Sequence, residues 1–138
     1  MPKPGHDMLA VRRVSERGGN GGASLEPAEL AQRIADLLSD RQAGDIVLMD
    51  IGKVTTFTDY FVIATAGNPR QMSALIDALD RDLRDDGIRP RRVEGAPDSG
   101  WVLVDFGDAI VHLFSPEMRA YYQLESLWSH GVSVVHLT

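Results

Sequence analysis

The chain has no cysteine among its 138 residues, which removes disulfides, thiol nucleophiles and cysteine-ligated zinc together. It also has no apolar run near the ~20 residues that a bilayer-spanning helix needs. Its first residues lack the basic, apolar and cleavage regions of a secretion signal. These absences lead us to expect a cytoplasmic protein with no membrane partner. The four histidines, His6, His112, His130 and His136, share no metal-ligand spacing, so no metal site is expected. No serine sits in a nucleophile elbow. No glycine pattern matches a P-loop or a dinucleotide fingerprint, and no internal repeat is visible.

Basic residues are scarce as well, with 14 Lys and Arg against 20 Asp and Glu. Residues 1–23 hold four bases (Lys3, Arg12, Arg13, Arg17) and two acids (Asp7, Glu16), a net of +2; the whole chain is −6, which leaves −8 for residues 24–138. A phosphate backbone repels a domain with that balance. A basic protein partner attracts it and meets it faster. The small cluster Arg89, Arg91 and Arg92 lacks a recognition motif and suits a charged strand edge.

What is present suffices for one domain with a real core, since 43% of residues are apolar. Residues 1–23, with Pro2, Pro4 and the run Gly18-Gly19-Asn20-Gly21-Gly22, are expected to form a flexible leader. Ser24 is the expected N-cap of a helix that turns Leu30, Ile34, Leu37 and Leu38 inward and ends at Gly44. Residues 46–51 and 60–66 are continuous apolar runs, as in strands covered on both faces, with a polar loop at 52–59 between them. Asn68-Pro69 opens a second helix with Met72, Leu75, Ile76, Leu79 and Leu83 inward and Gly87 at its end.

A short strand at 91–94 follows, placed to run parallel to 60–66 after the helical crossover. Beyond the hairpin described next, a last helix carries Tyr121, Tyr122, Leu124, Leu127 and Trp128. Residues 129–138 form a C-terminal tail whose apolar part, 132–137, resembles an edge strand. The order αββαβββα predicts one α/β domain (α+β layered) over residues 24–128, a single mixed β-sheet of about five strands flanked by helices.

The most informative stretch is residues 100–117. Apolar runs at 101–106 and 109–114 flank Gly107-Asp108, the signature of a tight hairpin. Ser115-Pro116-Glu117 then opens a helix. Within this scaffold Trp101, Asp105, Asp108 and His112 exceed what a purely structural hairpin requires. Acids at a strand end can hold Mg²⁺ for nucleotidyl transfer, and this makes an enzyme, a nucleotidyltransferase-like protein or metal-dependent phosphohydrolase using Asp105, Asp108 and His112, the alternative reading. Its catalytic set is incomplete, because neither Asp50 nor Asp105 has an acidic partner two positions away. Gly67-Asn68-Pro69-Arg70 lies where a helix N-terminus can hold phosphate, yet helix capping by Asn68 explains it as well. Trp101, Tyr122 and Trp128 belong to the residue types that anchor protein interfaces.

Five ordered segments resemble the ribosomal silencing factor family (RsfS, or Iojap). They are Thr58-Asp59-Tyr60-Phe61-Val62-Ile63-Ala64-Thr65; Arg70-Gln71; Val93-Glu94-Gly95 with Gly100-Trp101-Val102-Leu103-Val104-Asp105; Gly107-Asp108-Ala109-Ile110-Val111-His112; and the closing helix Arg119-Ala120-Tyr121-Tyr122-Gln123-Leu124-Glu125-Ser126-Leu127-Trp128. The resemblance implies a nucleotidyltransferase-like mixed sheet without the catalytic set, hence no enzyme and no cofactor. It implies a translation repressor that binds the large ribosomal subunit through that subunit's ribosomal protein number fourteen. By occupying that face it would sterically block joining of the small subunit, lowering protein synthesis under nutrient limitation, and it would be a homodimer when free. Carried over by position, Glu94, Trp101, Asp105, Arg119, Tyr122 and Glu125 would bind the partner. Asp59, Gly107, Asp108 and His112 would serve loop closure, the turn and strand packing.

Overall fold

The computed structural model describes residues 25–128 and 132–137. Helix α1, Pro27–Asp40, starts where Pro27 supplies a preset first-turn φ, and the Glu26 amide donates to Glu29 Oε1 at 3.0 Å. Glu26 is thus the N-cap position; the expected cap, Ser24, lies outside the described residues. Leu30, Ala31, Ile34, Ala35, Leu37 and Leu38 are buried along one stripe. The helix ends before Gly44, because Gln42 takes the left-handed conformation (φ 67°) and Ala43 N–H reaches back to the Leu38 carbonyl at 3.0 Å. Gly44 is free to open the next strand.

Strands β1 (Gly44–Asp50) and β2 (Tyr60–Thr65) pair antiparallel. Helix α2, Pro69–Arg84, is capped as its sequence predicts. The Asn68 side chain accepts from Gln71 N–H, and the helix closes with Gly87 (φ 80°) and a bond from Ile88 N–H to the Leu83 carbonyl. β3 (Arg92–Glu94), a 3₁₀ turn (Pro97–Ser99), β4 (Trp101–Asp105) and β5 (Ala109–Phe114) follow. The β4–β5 hairpin turns on two residues, with Phe106 N–H donating to the Ala109 carbonyl and Gly107 at φ 89°. Only the first turn position needs positive φ, the pattern that favours glycine there.

The sheet has six strands in the order β3-β4-β5-β2-β1-β6, where β6 is Ser133–His136. This corrects the expected count of about five. The apolar tail does supply an edge strand, antiparallel to β1, so the sheet extends past residue 128. The β2–β5 pair is parallel and every other pair is antiparallel, which makes the sheet mixed. β3 runs in the direction of β2 as expected but is not its neighbour. The fully buried β5 takes the central place, and the short charged β3 takes the edge.

Helices α1 and α2 cover one face, packing on Ile46, Val62, Ala64, Val102, Val104, Val111 and Leu113. The opposite face carries Val47, Met49, Phe61, Ile63, Leu103, Ile110 and Phe114. Only short elements lie over it. The single closing helix of the sequence reading is two pieces, α3 (Pro116–Tyr122) and α4 (Leu124–Leu127), because Gln123 adopts φ 47° and ψ 51° and reverses the path. The break sinks Leu124 into the second core and leaves Tyr121 and Leu127 outside, 76% and 73% exposed.

Candidate functional site

Strand pairing sorts the suspect residues before any side chain is considered. Trp101 pairs with Phe114, Leu103 with His112 and Asp105 with Ile110, while Arg92 pairs with Asp105 and Glu94 with Leu103. Residues opposite each other share a face. Glu94, Trp101, Asp105 and His112 therefore all stand on the face that lacks a long helix, and α3 and α4 bring Tyr122 and Trp128 to it.

There Trp101, Tyr122, Leu124, Leu127 and Trp128 line a shallow apolar groove of about 460 Å³. The Trp101 ring stacks on Phe114 with centroids 5.0 Å apart and meets Tyr122 at 4.6 Å. Trp128 closes the far side, edge-on to Phe57 at 5.7 Å and Phe61 at 5.4 Å. Aromatic pairs at such spacings hold each other in place. The result is a wall of mutually packed rings.

Beneath this wall lies His112, 0% exposed. Its Nδ1 accepts from Trp101 Nε1–H at 3.2 Å, while Nε2 has no hydrogen-bond partner. Burial pushes its pKa down to about 3, so the ring is neutral, and an accepting Nδ1 puts the proton on Nε2. A buried unsatisfied donor costs ~1–3 kcal/mol, whereas one hydrogen bond returns about 1 kcal/mol net. His112 does not stabilise the fold as an apolar ring would.

Asp105 is 1% exposed. Its Oδ1 accepts from Gly107 N–H at 2.8 Å, and Arg92 Nε lies 3.4 Å from Oδ2, at ion-pair range but without hydrogen-bond geometry. Burial raises its pKa, against the Gly107 amide and the charges of Arg91 and Arg92. Arg92 also pairs with Glu94 at 3.0 Å. Asp105 thus fixes the hairpin turn and anchors Arg92, which carries charge out to Glu94 at the edge.

Arg119 and Glu125, expected at the partner surface, form an internal clamp. Arg119 is 12% exposed and donates to Glu125 Oε2 at 2.8 Å, to Thr65 Oγ1 at 2.7 Å and to the Asp45 carbonyl at 2.9 Å. It ties α3 and α4 to β1 and β2 and so fixes the groove's second wall. Asp59 and Asp108 meet through the backbone, with Asp59 N–H and Tyr60 N–H both directed at the Asp108 carbonyl. Thr58, buried beside them, donates to the Gly107 carbonyl at 2.9 Å; the sequence reading did not single it out, although it opens the first family segment. Nearby, burial and the carboxylates of Asp50 and Asp59 raise the Tyr60 pKa.

A second cleft of about 380 Å³ lies between the starts of α2 and α3, lined by Gly67, Asn68, Asp98, Ser115 and Glu117 among others. Two amides at the start of α2 are already engaged: Gly67 N–H donates to Gln71 Oε1 at 2.7 Å and Gln71 N–H to Asn68 Oδ1 at 2.8 Å. Asn68 caps α2 in this stretch, as the sequence suggests. Among the described residues no group of three or more His, Asp or Glu is placed to hold a metal, and no helix is long and apolar enough to cross a membrane. Asp105 and His112, central to the enzymatic alternative, are sealed from solvent.

Residues 24–137 match the family model described as "Ribosomal silencing factor during starvation". The chain is 36% identical to ribosomal silencing factor RsfS of Zymomonas mobilis, an alignment covering 78% of this chain and 81% of that protein. It is 32% identical to mouse mitochondrial assembly of ribosomal large subunit protein 1, over 70% of this chain and 43% of the mouse protein. A crystal structure of a Chromobacterium violaceum protein superposes with a TM-score of 0.72 at 33% identity, covering 76% of this chain and 88% of that one. The relatives that carry the silencing-factor name are named as regulators, not as enzymes.

Proposed function

Because the chain belongs to the ribosomal silencing factor family, we propose that it is a ribosome-associated translation regulator acting by occupancy. It binds the free large subunit in the cytoplasm, docks on that subunit's ribosomal protein number fourteen, and bars the small subunit from joining. Protein synthesis falls under nutrient limitation as a consequence. No cofactor takes part.

The observation that carries this reading is the aromatic groove walled by Trp101 and Tyr122 on the face without a long helix. A preformed apolar cleft lined by aromatic rings has the anatomy of an interface with a central anchor. Within it Trp101 and Tyr122 make the contact, Glu94 presents acid at the rim, and Asp105, Arg119 and Glu125 hold these in place. The −8 balance of residues 24–138 favours a basic protein over exposed ribosomal RNA.

The direct test is the affinity of the purified protein for isolated large subunits. Trp101→Ala is expected to weaken it by about 2 kcal/mol or more, the size of an anchor residue. Wild-type affinity in that variant removes Trp101 from the interface. The homodimer proposed for the free state is checked by light scattering after gel filtration, where a monomer at every concentration contradicts it.

A further inference from the structure

His112 is placed where an apolar ring would fit at lower cost. It is the middle of the central strand β5, with Ile110 and Phe114 beside it on the same face and Leu103 and Ile63 paired across from it. Phe61 stands edge-on to the imidazole at 4.5 Å. One of its two nitrogens, Nε2, is left without a hydrogen-bond partner. Among the described residues its side chain makes one hydrogen bond, in which Nδ1 accepts from the Trp101 indole N–H at 3.2 Å.

That contact supplies a restraint which packing does not. Phe114 and Tyr122 pack against the Trp101 indole at 5.0 and 4.6 Å from adjacent sides, being 6.2 Å from each other, but ring contacts of this kind tolerate small rotations of the indole about χ1 and χ2. A directional N–H···N bond does not. We infer that His112 is a positioning residue, holding the Trp101 indole in one orientation so that the groove wall is preformed before any partner arrives. The inference rests on the reading of that groove as the docking surface. Its benefit is in binding: a side chain already ordered loses less freedom when the partner docks. Neutrality suits the role, since only an unprotonated Nδ1 can accept.

The test variant is His112→Phe, which keeps an aromatic ring and removes both nitrogens. Thermal stability is expected to stay equal or rise. Exchange of the Trp101 indole proton with deuterium, read as a nitrogen–proton NMR signal assigned through its loss in Trp101→Phe, should accelerate at least tenfold. Affinity for isolated large subunits should fall roughly fivefold, the scale of reordering one side chain. Unchanged exchange and affinity in the folded variant overturn the inference, as does lowered stability with unchanged exchange. If the variant does not fold, nitrogen NMR of the wild-type imidazole decides: protonation on Nε2 supports the inference and protonation on Nδ1 overturns it. Failure of the wild type to bind large subunits would sink the docking reading alone, because the exchange measurement judges His112 without any partner.

Discussion

Trp101 is restrained by three neighbours, Phe114, Tyr122 and His112, and the cost of that arrangement falls on His112. The cost has a pH signature. Because the folded pKa is about 3 against an ordinary 6.5, the unfolded chain binds the extra proton between those values. Stability from this group is complete above about pH 6.5 and is lost as pH falls toward 3, by up to ~1.4 kcal/mol per pH unit. Asp105, with its pKa raised by burial, acts in the opposite sense, favouring the fold below the ordinary carboxylate pKa and losing that as pH rises through its raised value. Melting temperatures between pH 7 and 5 should therefore fall more steeply for the wild type than for His112→Phe. Parallel curves would show that His112 titrates normally. Arg119 yields a second expectation at this scale: Arg119→Ala removes three hydrogen bonds and should cost about 2 kcal/mol or more in chemical denaturation. The sequence made Trp101 and Asp105 conspicuous by their polarity in a strand. It did not disclose that Arg119 faces inward, because two of its acceptors, Thr65 and Asp45, are 54 and 74 residues away.

The hairpin was legible as an element because its signal is local. Two apolar runs and a Gly-Asp pair define β4, β5 and the turn within residues 101–114. Asn68 and Gly87 bounded α2 for the same reason. The break at Gln123 was not legible, since glutamine favours helices and nothing local forces it to φ 47°. It goes with contacts distant in sequence: Leu124 is buried in the second core, and Arg119, paired with Glu125 across the break, reaches Thr65 and Asp45. Without that break Leu127 and Trp128 would not frame the groove with Trp101. A β-branched side chain in the left-handed region is strained, so Gln123→Val should lose ~1–2 kcal/mol of stability, while Gln123→Gly should match or exceed the wild type. Equal melting temperatures for the two variants would show that the turn is not held in that conformation.

Across the whole molecule, strand order is the part that local patterns could not supply. β3 carries an edge-strand signature in charge and shortness and β6 in shortness alone, but which strand each joins depends on pairings distant in sequence. β6 covers the outer edge of β1, and removing residues 129–138 would expose a row of unpaired backbone groups there. The truncated chain is expected to melt lower and to aggregate at concentrations where the full chain does not; equal stability would mean that β6 contributes nothing to the sheet. The architecture that results is asymmetric. One face is sealed by α1 and α2, and the other presents an aromatic groove on an acidic molecule. The proposed exclusion of the small subunit by that face is tested most directly by subunit sedimentation. Mixed with large subunits before small subunits are added, the protein should co-migrate with the large subunit and reduce the joined-ribosome peak, and Trp101→Ala should do neither at the same concentration. Undiminished joining, or no co-migration with the large subunit, would contradict the account.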